Sequence, residues 1–124
     1  MVMYCDGSGT NGKHVGFCVV RVGEPPYIEI AEGTLTSNEM EYTAMIRALA
    51  TCGDGETIFS DSMLIVKQLT KGWRIHAMNL KPLHDSAAAL LAEKHADIRW
   101  LSRDNNIAGV VLDKAMAKHK EASI

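Results

Sequence analysis

Three acids stand where an ionised side chain is out of place. Asp6 ends the apolar run Met1 to Cys5 and leads into the small polar stretch Gly7-Ser8-Gly9. Asp61 closes the short segment ETIFSD at 56–61. Glu41 heads a helix-periodic apolar stripe formed with Ala44, Met45, Ala48, Leu49 and Cys52. Glu39, two positions earlier, lies roughly 200° around the same helix and faces away. A carboxylate on an apolar face is costly unless it is paired or bound to a metal. If Asp6 and Asp61 end neighbouring parallel strands, both emerge from one edge of the sheet, where open α/β sheets bind ligands. Three converging acids repel, by about 1 kcal/mol per pair at 4 Å in water and by more when partly buried. A cation would make the arrangement favourable. Oxygen ligands without His or Cys suit Mg²⁺ or Mn²⁺. Carboxylate-only sites of this kind suit two-metal phosphoryl chemistry, with ions about 3.5–4 Å apart. A fourth acid is expected from the closing helix. Asp113 is the candidate, near Gly109, Met116 and Ala117, with Asp104 next in order. Taken singly, Asp6-Gly7 is also a hairpin-turn signal and Asp61 a helix N-cap.

The elements that must position these acids read from the pattern. Residues 1–6 form a strand, followed by a Gly-rich turn. Residues 14–22 and 27–34 form two further strands, and the three make an antiparallel meander. TSNE at 36–39 has the capping-box form, with Thr36 as N-cap, and opens a helix that GDG at 53–55 ends. A short strand at 56–61, a helix at 62–70, a basic and aromatic loop, an Ala/Leu-rich helix at 83–95, a strand at 96–101 and a helix from Ala108 to about Lys120 complete the chain. The first, fourth and fifth strands are joined through helices and should be parallel. The fold expected is α/β: a five-stranded mixed sheet flanked by helices, in one domain spanning 1–124.

The bulk numbers narrow the class. The 124 residues are 47% hydrophobic and 23% charged, with net charge −2, an ordinary globular balance. No apolar run approaches the ~18 residues of a membrane span. Met1 runs straight into a strand without a signal-like leader, so a cytoplasmic location is expected. Cys5, Cys18 and Cys52 lie in apolar surroundings without C-x-x-C spacing and read as buried thiols. A chain that is not basic overall must bind nucleic acid through a local patch or through metal ions.

The stretches YCDGSGTNG, TSNEMEYTAMIRAL, FSDSMLIVKQL and WLSRDNNIAGVVLDKAM, in that order and on those elements, resemble the type 1 ribonuclease H family, part of the RNase H-like superfamily. The resemblance covers nearly the whole chain. It implies the ribonuclease H-like fold and an endonuclease that hydrolyses the RNA strand of RNA–DNA hybrids with two divalent ions, Mg²⁺ or Mn²⁺, leaving 5′-phosphate and 3′-hydroxyl ends. It places Asp6, Glu41 and Asp61 in three of the family's four acid positions. The fourth is displaced. Aligning Arg103 and Asn106 to the family pattern R-x-x-N-x-x-A-D puts Val110 at the acid position, whereas an alignment from Trp100 with a longer loop brings Asp113 within one residue of it. Asn105 or Asn106 as the fourth ligand stays open. Asp104 stands where some members carry a His. Lys71, Trp73, Arg74 and Lys81 form a reduced version of the basic handle found in some members.

The resemblance further implies that Asp6 bridges both ions, that Asp61 holds the ion on the attacking side, and that Glu41 and Asp113 hold the ion on the leaving side. Gly7, Ser8, Asn11, Thr36, Ser37 and Asn38 would contact the hybrid, with Arg103 and Asn106 near the scissile phosphate. RNA would be told from DNA by its 2′-hydroxyls. The partner expected is the RNA–DNA hybrid, with no membrane, for a monomeric enzyme. The alternative is a catalytically weak or inactive member that binds hybrid or double-stranded RNA.

Overall fold

The computed structural model describes residues 1–122. Five strands, β1 (Val2–Asn11), β2 (His14–Arg21), β3 (Tyr27–Glu32), β4 (Thr57–Ser60) and β5 (Asp97–Trp100), form one sheet in the order β3-β2-β1-β4-β5. The first three pair antiparallel, while β4 pairs parallel with both β1 and β5. Four α-helices accompany them: α1 (Ser37–Thr51), α2 (Met63–Thr70), α3 (Lys81–Lys94) and α4 (Ile107–Ala122). The mixed five-stranded α/β sheet expected from the pattern is present. No helix among the described residues is long and apolar enough to cross a membrane.

Alternation along β1 divides the core. Met3 and Cys5 face α1 and join its buried stripe of Ala44, Met45, Ala48 and Leu49, along with Ile58 and Ile98. Tyr4 packs with Cys18, Val20, Ala108 and Leu112 beneath α4. Each fully buried Met or Leu contributes roughly 1.5–3 kcal/mol, so these two faces hold the helices to the sheet. The capping box of α1 forms as its sequence predicts. Thr36 Oγ1 accepts from Glu39 N–H at 3.1 Å, and Glu39 Oε1 accepts from Thr36 N–H at 2.9 Å.

One expectation about β1 is corrected. The stretch after Asp6 is not a turn: β1 continues to Asn11, paired with β2 throughout apart from an irregularity between Ser8 and Asn11. The reversal comes at Gly12-Lys13, where Gly12 takes φ +68°, in the left-handed region that glycine enters without cost. Gly7 and Gly9 serve another purpose. A Cβ on Gly7 would collide with the Met40 carbonyl and the Glu41 nitrogen, and one on Gly9 with the backbone of Thr36 and Ser37. These glycines let the first turn of α1 lie directly on the strand. Smaller differences concern the ends. α3 begins at Lys81 after a 3-10 turn at Met78–Leu80 and ends at His95 in the left-handed conformation, and α4 begins at Ile107.

Candidate metal centre

Asp6 sits within β1, just past the point where β4 stops pairing with it at Tyr4–Phe59. Asp61 directly follows the end of β4. The short β4 therefore opens a notch beside β1, and the two carboxylates meet there. Ser62, not Asp61, caps α2: its hydroxyl accepts from Ile65 N–H at 3.4 Å. The Asp61 carboxylate is left for the notch. Glu41 enters from the first turns of α1, and its Oε1 accepts the Gly7 N–H at 2.5 Å. One oxygen each from Asp6, Glu41 and Asp61 lies within 4.8 Å of the others.

The electrostatics are those of an uncompensated anionic cluster. Asp6 is 2% exposed, and its Oδ1 is buried without a hydrogen-bond partner. Burial and the neighbouring Asp61 push the Asp6 carboxyl up to about 6, against the opposing effects of a Glu41 hydrogen bond and the Arg103 charge. Burial, then Asp6 and Asp61, push Glu41 up to about 9, although the Gly7 N–H favours its ionised form. A buried polar atom without a partner costs about 1–3 kcal/mol, and among the described residues no cation forms an ion pair with any of the three acids. The donor set is oxygen only, and one Asp6 oxygen is buried and unpartnered. It fits a hard divalent ion.

The remaining candidate residues divide into three groups. Asn11, Thr36, Ser37 and Asn38 are exposed on the β1–β2 hairpin and the N-terminus of α1. Ser8 is half-buried, its hydroxyl 3.4 Å from the Gly9 carbonyl oxygen. Arg103 and Asp113 lie on the rim, ion-paired at 3.7 Å with side chains 66% and 64% exposed. Asp113 is outside the triad, and Asp104 and Asn105 are exposed in the 3-10 turn before α4. The α4 residue facing the acids is Gly109, where a Cβ would stand 3.5 Å from Asp6 Oδ2 and 3.9 Å from Asp61 Oδ2. Two of the expected substrate-contact residues have hydrogen-bond partners within the protein. The Gly7 N–H is already bound to Glu41. Asn106 is 0% exposed, and its amide donates to Cys5 O and Asp61 Oδ2, both at 3.0 Å. The spacing of the sequence carried no signal for the Gly7–Glu41 bond or for Trp100, whose indole N–H donates to Asp61 O at 3.0 Å.

The family model for RNase H matches residues 1–116. The chain belongs to the RNase H family. Among solved structures it is similar to RNase H1 from the halophilic archaeon Halobacterium salinarum, with TM-score 0.76 and 26% identity over 94% of this chain and 97% of that one. The N-terminal RNase H domain of a Mycobacterium tuberculosis protein, solved as a fusion with maltose-binding protein, shares the fold at TM-score 0.77. It is 22% identical over 99% of this chain and 97% of that one. LC11-RNase H1, solved in complex with an RNA/DNA hybrid, aligns at TM-score 0.68 and 24% identity over 93% and 98% of the two chains. No match was found among curated proteins. Membership supports ribonuclease H activity in a metal-dependent family, and Asp6, Glu41 and Asp61 are the acidic cluster able to bind the metal.

Proposed function

We propose that this RNase H is an endonuclease that hydrolyses the RNA strand of RNA–DNA hybrids by a two-metal-ion mechanism, acting as a cytoplasmic monomer. The observation that carries the reading is the convergence of Asp6, Glu41 and Asp61, with one Asp6 oxygen buried and unpartnered. Mg²⁺ or Mn²⁺, two ions when bound, would acidify a water and neutralise charge on the phosphate and the leaving oxygen.

The chain's own residues do the positioning. Asp6 and Asp61 would hold the ion that activates the water, and Asp6 and Glu41 the ion that neutralises the leaving oxygen. Asp113 would join Glu41 after release from Arg103. In the hydrolysis itself the water oxygen bonds to phosphorus, the bond from phosphorus to the 3′ oxygen breaks, and a proton ends on that oxygen. The products are a 5′-phosphate and a 3′-hydroxyl. A bound cation would favour the ionised form of Glu41, whose carboxyl burial, Asp6 and Asp61 push up to about 9.

The exposed N-terminus of α1, carrying Thr36, Ser37 and Asn38, presents N–H groups and a positive dipole end to phosphate. Asn11 on the neighbouring hairpin and Ser8 beside it supply groups for the sugar edge of the minor groove, where 2′-hydroxyls distinguish RNA. Arg103 at the rim suits a phosphate oxygen. Recognition would follow shape rather than base sequence, and binding should weaken steeply with salt.

The test is a comparison of end-labelled substrates with Mg²⁺ or Mn²⁺: hybrid, single-stranded RNA, double-stranded RNA and duplex DNA. Cutting confined to the RNA strand of the hybrid, with 3′-hydroxyl ends, supports the proposal. Displacement of Asp113 from the triad favours a second reading, a member that binds hybrid or double-stranded RNA without cutting it. Hybrid binding without cleavage under either metal would select that reading.

A further inference from the structure

Asp61 is held at two atoms by residues from a single stretch of chain. The Trp100 indole N–H donates to its backbone carbonyl at 3.0 Å, and the Asn106 amide donates to its Oδ2 at 3.0 Å. Asn106 does more than touch Asp61. Its second amide hydrogen goes to Cys5 O, the carbonyl preceding Asp6, at 3.0 Å. Its Oδ1 accepts the Ala108 N–H at 3.2 Å, capping α4. An Asn side chain has two N–H donors and an acceptor oxygen, and all three are engaged. The residue is fully buried, so it meets neither substrate nor solvent.

We infer that Asn106, assisted by Trp100, is a positioning residue that fixes the Asp61 carboxylate against Asp6 and registers α4 on the metal centre. The inference rests on the metal reading of the triad. The physical reason for such a clamp is repulsion. Asp61 faces Asp6 across the notch, and a free carboxylate there would rotate toward solvent. A donor on Oδ2 offsets that tendency and leaves Oδ1 to meet an ion. The amide bond to Cys5 O ties the same Asn to the strand carrying Asp6, so the separation of the two acids is set by one rigid side chain. Partners of metal-ligating groups that act in this way typically change metal affinity 10- to 100-fold when removed.

The experiment has two readouts on the full chain: the χ1 couplings of Asp61 by NMR in the metal-free protein, and Mn²⁺ affinity by calorimetry. Asn106→Ala is compared with Leu112→Ala, a fully buried position on α4 packed with Cys18, Val20 and Ala108. The expected result is a single Asp61 rotamer in wild type and in Leu112→Ala, rotamer averaging in Asn106→Ala, and Mn²⁺ binding weakened about 10-fold or more only in the latter. An unchanged rotamer and Mn²⁺ affinity in Asn106→Ala, or equal effects in Leu112→Ala, would overturn the inference. Should Asn106→Ala not fold, the partly exposed Trp100→Phe takes its place, and unchanged values there overturn it. If wild type binds no Mn²⁺ while the rotamer pattern holds, the clamp stands and the metal reading falls.

Discussion

Replacing Asp6 by Asn should stabilise the metal-free protein at neutral and alkaline pH while removing its response to divalent ions. The magnitude follows from the notch. Two ionised oxygens within 4.8 Å of each other repel by about 3.5 kcal/mol or more at an effective dielectric constant of about 20. The displacement of the Asp6 carboxyl from 3.8 to about 6 corresponds to about 3 kcal/mol, at about 1.4 kcal/mol per tenfold change in proton affinity. Burial is the largest cause of that displacement and Asp61 the second; Asn, being neutral, removes both while keeping the shape. The sign depends on pH. Between 3.8 and about 6 the unfolded chain has lost the Asp6 proton while the folded chain retains it. Wild-type stability therefore falls as pH rises through that window. Glu41 extends the decline from 4.5 toward about 9. The advantage of Asp6→Asn should be absent below about pH 4 and grow through pH 6. It should reach 2–3 kcal/mol above that, or roughly 10 °C in melting temperature for a chain of this size. Thermal melts in a chelating buffer from pH 3.5 to 9 measure it. A difference that does not vary with pH, or a variant less stable than wild type at pH 8, would refute the reasoning.

Other substitutions separate the parts of the account. Gly7→Ala forces a Cβ into the Met40–Glu41 backbone and should cost about 3 kcal/mol in denaturant melts, with weaker Mn²⁺ binding. Gly12→Ala, at φ +68° in open space, should cost only about 1–2 kcal/mol and leave Mn²⁺ affinity unchanged. Glu56→Ala strips Arg21 of a partner at 2.7 Å whose own side chain is 4% exposed. Chemical denaturation should show a loss of about 3 kcal/mol, with cleavage unaffected well below the melting temperature. If Asp113 is the fourth ligand, Asp113→Asn should slow hybrid cleavage at least tenfold and Val110→Asp in that background should restore it. A rate within twofold of wild type in Asp113→Asn would remove Asp113 from the site.

The sequence made the sheet, the helix order and the triad legible because each rests on a local signal. Helical periodicity put Glu41 on the buried stripe, and two short apolar segments each ended in an Asp. The capping box at Thr36 was read correctly for the same reason. The extent of β1 was not legible. Gly7, Ser8 and Gly9 have turn chemistry, and only the close approach of α1 reveals that the glycines admit a helix to a continuing strand. Asn106 reads as a ligand or a phosphate contact from sequence; its bonds to Cys5 and Asp61 span chain separations of 101 and 45 residues, which no local pattern encodes. Asp113 shares a helix face with Gly109 at i, i+4 spacing, so its type and spacing suggest a ligand. Its distance from the notch emerges only in three dimensions.

The most direct measurement of the central claim is the single-turnover rate of hybrid cleavage at saturating Mn²⁺ and saturating protein, for wild type beside Asp6→Asn. The account predicts metal-dependent cutting of the RNA strand by wild type and a rate about a thousandfold lower in the folded variant, since losing a ligand of the ions forfeits several kcal/mol of transition-state charge stabilisation at about 1.4 kcal/mol per tenfold in rate. Cleavage by Asp6→Asn within tenfold of wild type, or cleavage by wild type in excess chelator, would contradict it.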